Sequence, residues 1–133
     1  MKIRYTERGW PGHFILGNKC LYHRNTLVSS KDIAVVVSTV GNMVLDDKKG
    51  VEEVGLNRIY ETMVFLGKIE NNYHEADVSK EVSNTTSNWY LSKHELRKDS
   101  DNQADDMHNT MVREVAELIR INDVQTYYRY DDE

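Results

Sequence analysis

Five histidines are the first residues to weigh for chemistry: His13, His23, His74, His94 and His108, with the acids Glu75, Asp77 and Glu95 close to some of them. His74 and Asp77 are three apart, which on an extended chain sends their side chains to opposite faces, a poor start for chelation. His94 and Glu95 are neighbours, too short a pattern to define a site. His108 falls at the edge of a helical apolar stripe, where a hydrogen-bonded core histidine is expected before a ligand. The single cysteine, Cys20, lies beside Leu21 in an extended segment and reads as a small buried hydrophobe. It also excludes an internal disulfide. There is no Gly-rich phosphate loop, GxSxG elbow, paired-cysteine motif or HExxH. These residues lead to an expectation of no catalytic residue, no metal and no cofactor.

Residues that grip a ligand are easier to find. Arg24-Asn25-Thr26 offers a planar cation and two hydrogen-bonding groups. Strand alternation splits Arg24 from Asn25, so only Arg24 and Thr26 would meet one ligand directly. In Asn57-Arg58-Ile59-Tyr60-Glu61, alternation puts Arg58, Tyr60 and Thr62 on one face, an arginine beside an aromatic that suits a phosphate joined to a base or ribose. The rival reading is a structural Arg58–Glu61 pair. Asn88-Trp89-Tyr90 ends a polar connector and would place aromatics at a loop mouth. Arg113, with Asn109 one turn before it, lies on the outer face of a helix and reaches a ligand only across an oligomer interface.

The elements that must hold these residues follow from the hydropathy pattern. Gly9, Pro11 and Gly12 mark a turn. His13 to Leu16 and Lys19 to Val28 read as a hairpin. Ile33 to Val40 is β-branched and reads as a central strand buried on both faces. Asp46 to Gly50 is a polar turn, and Val54 to Ile69 returns antiparallel. Tyr73 to Val78 reads as a short strand, and Leu91 to Leu96 as a short helix. The C-terminal helix is expected over Asn102 to Ile121. Ser100-x-x-Gln103 has the capping-box form, and Ala104, Met107, Met111, Val115, Leu118 and Ile119 form its apolar stripe. The expected fold is α+β: an antiparallel sheet, one long C-terminal helix packed on it, and a short helix before that. Residues 1–121 form the domain, and residues 122–133 a Tyr-rich acidic tail.

Length and charge bound the reading. A chain of 133 residues is one domain. The net charge of −5 argues against general nucleic-acid binding. It is uneven: residues 1–31 hold six Lys/Arg and one Asp/Glu (+5), and the remainder eleven and twenty-one (−10). The basic third faces either a phosphate or acidic partner, or the acidic part of its own chain. No apolar run reaches the roughly 18–20 residues of a membrane span, and the start lacks a signal peptide's apolar stretch. A cytoplasmic location is expected.

Several segments together resemble a family of small phage and prophage proteins. They are Arg8-Gly9-Trp10 with Gly12-His13-Phe14-Ile15, Arg24 to Leu27, Val35 to Gly41, Gly55-Leu56-Asn57-Arg58 with Tyr60 to Met63, Ala76 to Ser79, and Met107-His108. The nearest characterised group it resembles is the first family of Thoeris anti-defence proteins. That resemblance implies a protein that sequesters a cyclic ADP-ribose-type nucleotide signal uncleaved, in the cytoplasm of an infected bacterium, as a dimer or higher homo-oligomer. It implies Arg58 and Arg113 as the gripping arginines, Trp89 or Tyr90 as the aromatic, and Asn57 or Asn88 as the amide. Tyr60, Arg24 and Asn109 complete the expected ligand set. The alternative is a phage inhibitor that binds a host defence effector through its acidic surface.

Overall fold

The computed structural model describes residues 2–13, 19–43, 53–54, 58–70, 73–86 and 89–128. The strands are β1 (Arg4–Arg8), β2 (Cys20–Ser29), β3 (Ala34–Met43), β4 (Arg58–Glu70), β5 (Tyr73–Val82), β6 (Trp89–Ser92) and β7 (Thr126–Tyr128); α1 (Ser100–Arg120) lies between the last two. All seven strands form one antiparallel sheet in the order β1-β2-β3-β4-β5-β7, with β6 also pairing β4. The fold is α+β, as expected.

The centre of the sheet is β3. Its run Val35 to Gly41 is buried on both faces, because α1 covers one side and the segment leading to His13 covers part of the other. On the helix side Val35 and Val37 pack with Val28, Val64, Met111, Val115, Ala116 and Ile119. Each such side chain, fully buried, contributes roughly 1.5–3 kcal/mol before its entropy cost. Gly41 is needed where it stands: a β-carbon there would lie 2.1 Å from the Tyr60 ring.

Four of the expected stripe positions of the helix are buried, Met107 and Leu118 are half-buried, and Ser100 is buried at the start. Ala104, Met111, Val115 and Ile119 are buried, joined by His108 and Ala116. Asn109, Arg113, Glu117 and Arg120 face outward. The expected capping box is not formed. Asp99 is the N-cap and makes no side-chain cap bond. The Ser100 hydroxyl, one residue inside, accepts the Arg97 N–H at 2.8 Å instead, because Ser100 is buried under the first turn. The C-terminus closes on Asn122 at φ 56. Its N–H reaches the Ile119 carbonyl and the Asp123 N–H reaches Leu118, the paired bonds of a Schellman end.

Three expectations change. The strand that pairs with β2 is Arg4–Arg8, with Arg8 opposite Asn25, not the segment from His13; Phe14 to Leu16 lie outside the described residues. An edge strand as polar as RYTER has no apolar alternation to betray it. In place of a short helix over 91–96, Leu91 and Ser92 end β6 and only Lys93–Glu95 makes one 3₁₀ turn, closed by Ser92 donating to Glu95. β5 runs on to Val82, where the chain of the expected tail joins it as β7, Val82 opposite Thr126.

Candidate functional site

Each face of the sheet carries a histidine in a buried polar chain. On the face away from α1, His13 Nδ1 lies 2.6 Å from Ser38 Oγ and Nε2 lies 3.0 Å from Glu61 Oε1. Arg58 Nη1 donates to the other oxygen of Glu61 at 3.0 Å. Burial alone would raise the Glu61 pKa; the hydrogen bond and charge of His13, then those of Arg58, outweigh it and hold the carboxyl below its usual value. Glu61 is therefore an acceptor, so Nε2 carries a hydrogen. Ser38 Oγ meets the other ring nitrogen, Nδ1.

The chain continues to both sides. Arg58 lies 4.8 Å from the centre of the Tyr90 ring, and Tyr90 is 52% exposed. Across the sheet Ser38 pairs in register with Asn25, whose Oδ1 accepts from Arg8 Nε at 3.2 Å and Nη2 at 2.9 Å. Arg8 in turn lies 5.1 Å from the Trp10 ring, which is 38% exposed. A buried hydrogen-bonded centre thus ends, on both sides, in an arginine laid on an exposed aromatic ring.

Serine, histidine and glutamate in this order resemble an acyl-transfer relay. Ser38, however, has no exposed surface. Gly12 lies so close over it that a β-carbon there would stand 2.6 Å from Ser38 Oγ. No substrate carbonyl reaches the hydroxyl in this conformation. The contacts instead clasp the turn of Gly9 to His13 onto the sheet.

On the helix face the chain runs Thr62, Thr39, His108, Thr26, Glu7. Thr39 and Thr62 hydroxyls are 2.7 Å apart, His108 Nδ1 is 2.7 Å from Thr39, and Nε2 is 2.8 Å from Thr26. Thr26 donates its hydrogen to Glu7 at 2.7 Å, so its oxygen accepts from His108 Nε2–H, and Thr39 donates to Nδ1. Desolvation, then the charge of Arg24, lowers the His108 pKa to about 4. The ring is neutral and every polar atom of it is met. Arg24 pairs with Glu7 at 2.8 Å, donates to Asn109 at 2.8 Å and stands 3.6 Å from Asp105. Tyr22 donates to Asp105 and Tyr60 to Asp101, and burial first, then these carboxylates, raises both phenol pKa values.

The expected ligand set is therefore divided. Arg24 and Asn109 bond to each other at the rim of α1. Tyr60 and Trp89 lie on the helix side, ring centres 6.4 Å apart, with Tyr22, Leu91 and Ala104. Arg58 does not share their face: a register shift between Arg58 and Tyr60 against β6 turns it to the side of Glu61 and Tyr90. Arg113 is exposed on the outer face of α1, bonded to Thr110. Asn57, like Asn88, lies outside the described residues. The aromatic that accompanies Arg58 is Tyr90, one residue beyond Trp89.

The buried chain is built of Arg8, His13, Asn25, Ser38 and Glu61 with Trp10 at one end, none of them in the expected ligand set. No local pattern marks them, since they come from one turn and four separate strands. Among the described residues no three of His, Cys, Asp and Glu are grouped to hold a metal ion. Cys20 is buried, which pushes its thiol pKa up. The basic surplus of the first third is partly consumed by Arg24 with Glu7 and Asp105; Lys2, Arg4 and Lys31 line an open cleft of about 700 Å³ with Ser29, Ser30 and Asp32. No helix among the described residues is long and apolar enough to cross a membrane. Comparisons with protein-family models, with curated proteins and with solved structures found no match.

Proposed function

We propose that this protein captures a phosphate-bearing nucleotide on the face of the sheet opposite α1 and holds it without turning it over. The observation that carries this reading is Arg58: fixed by Glu61 at 3.0 Å and laid over the exposed Tyr90, it presents a cation and an aromatic face together on a rigid strand. A guanidinium and a ring already ordered suit a phosphate joined to a base, because little side-chain freedom is lost on binding. The enclosure of Ser38 under Gly12 supports retention rather than turnover. With the family resemblance, the ligand proposed is a cyclic ADP-ribose-type immune signal, sequestered in the cytoplasm of an infected bacterium. Arg113 points away from this face, so its part in the site requires a neighbouring protomer.

Calorimetry tests the reading with cyclic ADP-ribose isomers and cyclic di- and trinucleotides. Tight binding to one of them is expected, weakened at least tenfold in R58A and in Y90A, with the ligand recovered intact after heating the complex. No heat with any of them rejects nucleotide capture and favours a protein partner. A cleaved ligand rejects retention.

A further inference from the structure

Two side-chain atoms are buried without a hydrogen-bond partner among the described residues, Asn25 Nδ2 and His23 Nδ1. They belong to the same face of β2, two positions and roughly 6.6 Å apart along the strand. Asn25 is 1% exposed. Arg8 fixes which way its amide points. A guanidinium only donates, so the atom it meets at 2.9 and 3.2 Å is Oδ1, and Nδ2 turns two hydrogens to a place where nothing accepts them. The fold does not ask for those hydrogens, since an aspartate at 25 would hold Arg8 at least as firmly. The charge of Arg8 on Oδ1 also polarises the amide and makes Nδ2 a better donor. Gly12 covers it closely: a β-carbon there would stand 3.4 Å from Asn25 Cγ and 2.6 Å from Ser38 Oγ.

We propose that Asn25 Nδ2, with His23 Nδ1 beside it, receives a phosphate oxygen of the captured ligand beneath the turn of Gly9 to Gly12. This rests on the nucleotide-capture reading and adds to it the residue that recognises the oxyanion. An oxygen reaches Nδ2 only when the turn lifts from the sheet; glycine at both 9 and 12, with open space round Gly9, gives its backbone the freedom to do so.

The variant N25D separates recognition from folding. It keeps an oxygen for Arg8, removes the two donors, and puts a negative charge where the phosphate oxygen would sit. Wild type and N25D are titrated with the cyclic ADP-ribose isomers and, separately, with inorganic pyrophosphate, and both are melted. Expected is a ten- to hundredfold loss of affinity in N25D with the melting temperature unchanged or raised. Equal affinity in the two proteins overturns the inference while leaving capture intact, and would mean that a trapped water serves the amide. A melting temperature lower by more than about 4 °C overturns it too, because Nδ2 would then serve the fold. Pyrophosphate binding alone, lost in N25D, keeps the oxyanion site and discards nucleotide capture. No binding to either probe by wild type rejects both.

Discussion

The two faces of the sheet solve the same problem differently. Adjacent residues of β3, Ser38 and Thr39, each set a hydroxyl against the Nδ1 of a histidine, on opposite sides of one strand. For His108 the ring then meets a second hydroxyl, that of Thr26, and the acid Glu7 stands one bond further off. For His13 the ring meets its acid directly. His108 comes from a long helix and is sealed by it. His13 comes from a turn and lies in a chain that ends in two arginine–aromatic pairs whose rings are exposed. A buried histidine with all its atoms met by neutral groups serves the fold. A histidine that ties a turn to a carboxylate, itself bonded to an arginine, belongs to the face on which ligand capture is proposed. The contrast also shows in the atoms left over: among the described residues both unpartnered buried atoms, on Asn25 and His23, are on the His13 side.

The largest effects should come from the glycine that serves the helix face. In G41A the new methyl would stand 2.1 Å from the Tyr60 ring, which is buried and tied to Asp101. A loss of about 3 kcal/mol or more in urea unfolding is expected. Next is H108L, which leaves the hydroxyls of Thr26 and Thr39 buried without the ring between them. About 2–4 kcal/mol should be lost. Ligand affinity per folded molecule should be unchanged; a selective loss of binding in H108L would erase the distinction between the faces.

The pH dependence should carry the signature of His108. Its folded pKa of about 4 lies below the 6.5 of an ordinary imidazole. As pH falls below 6.5 the unfolded chain gains a proton that the folded chain does not, so stability falls toward pH 4. Below that the slope from this group vanishes. The slope is at most about 1.4 kcal/mol per pH unit. Urea midpoints at pH 7, 6 and 5 should show it, and H108Q should flatten it. Persistence of the full slope in H108Q would assign it to another group.

On the other face, R58A and Y90A should cost less than about 1 kcal/mol each, since the pair lies at a rim, while affinity falls tenfold or more. A variant that loses stability and binding in parallel would make Arg58 a structural residue. Smallest of all is R113A. Its exposed side chain bonds to Thr110 on the outer face of α1, so stability should move by less than about 0.5 kcal/mol. Its effect on affinity reads out whether a neighbouring protomer completes the site.

Much of the sheet was legible because hydrophobic alternation and β-branching are local. The run of Ile33 to Val40, most of β3, and the return through Val54 to Ile69, which contains nearly all of β4, could be read this way. So could the apolar stripe of Ala104, Met111, Val115 and Ile119. Strand β1 was not legible, because RYTER has no apolar face and is a strand only by pairing with β2. The short helix expected over Leu91 to Leu96 gave way to β6 because β4 offered an unpaired edge beside Tyr60, Glu61 and Thr62.

The sequence by itself determined the α+β class, the outward-facing residues of α1, and the separation of Arg24 from Asn25. Each follows from a periodicity of two or 3.6 residues that any local reading recovers. Only the tertiary structure decided that Arg58 leaves the side of Tyr60, because that turns on one irregular step in its pairing with β6. Only it decided that Arg8, His13, Asn25, Ser38 and Glu61 meet. Those five come from a turn and four strands, 53 positions apart at the extremes. Their meeting depends on register, and register is fixed by which residues of neighbouring strands are bonded, a relation no stretch of sequence contains.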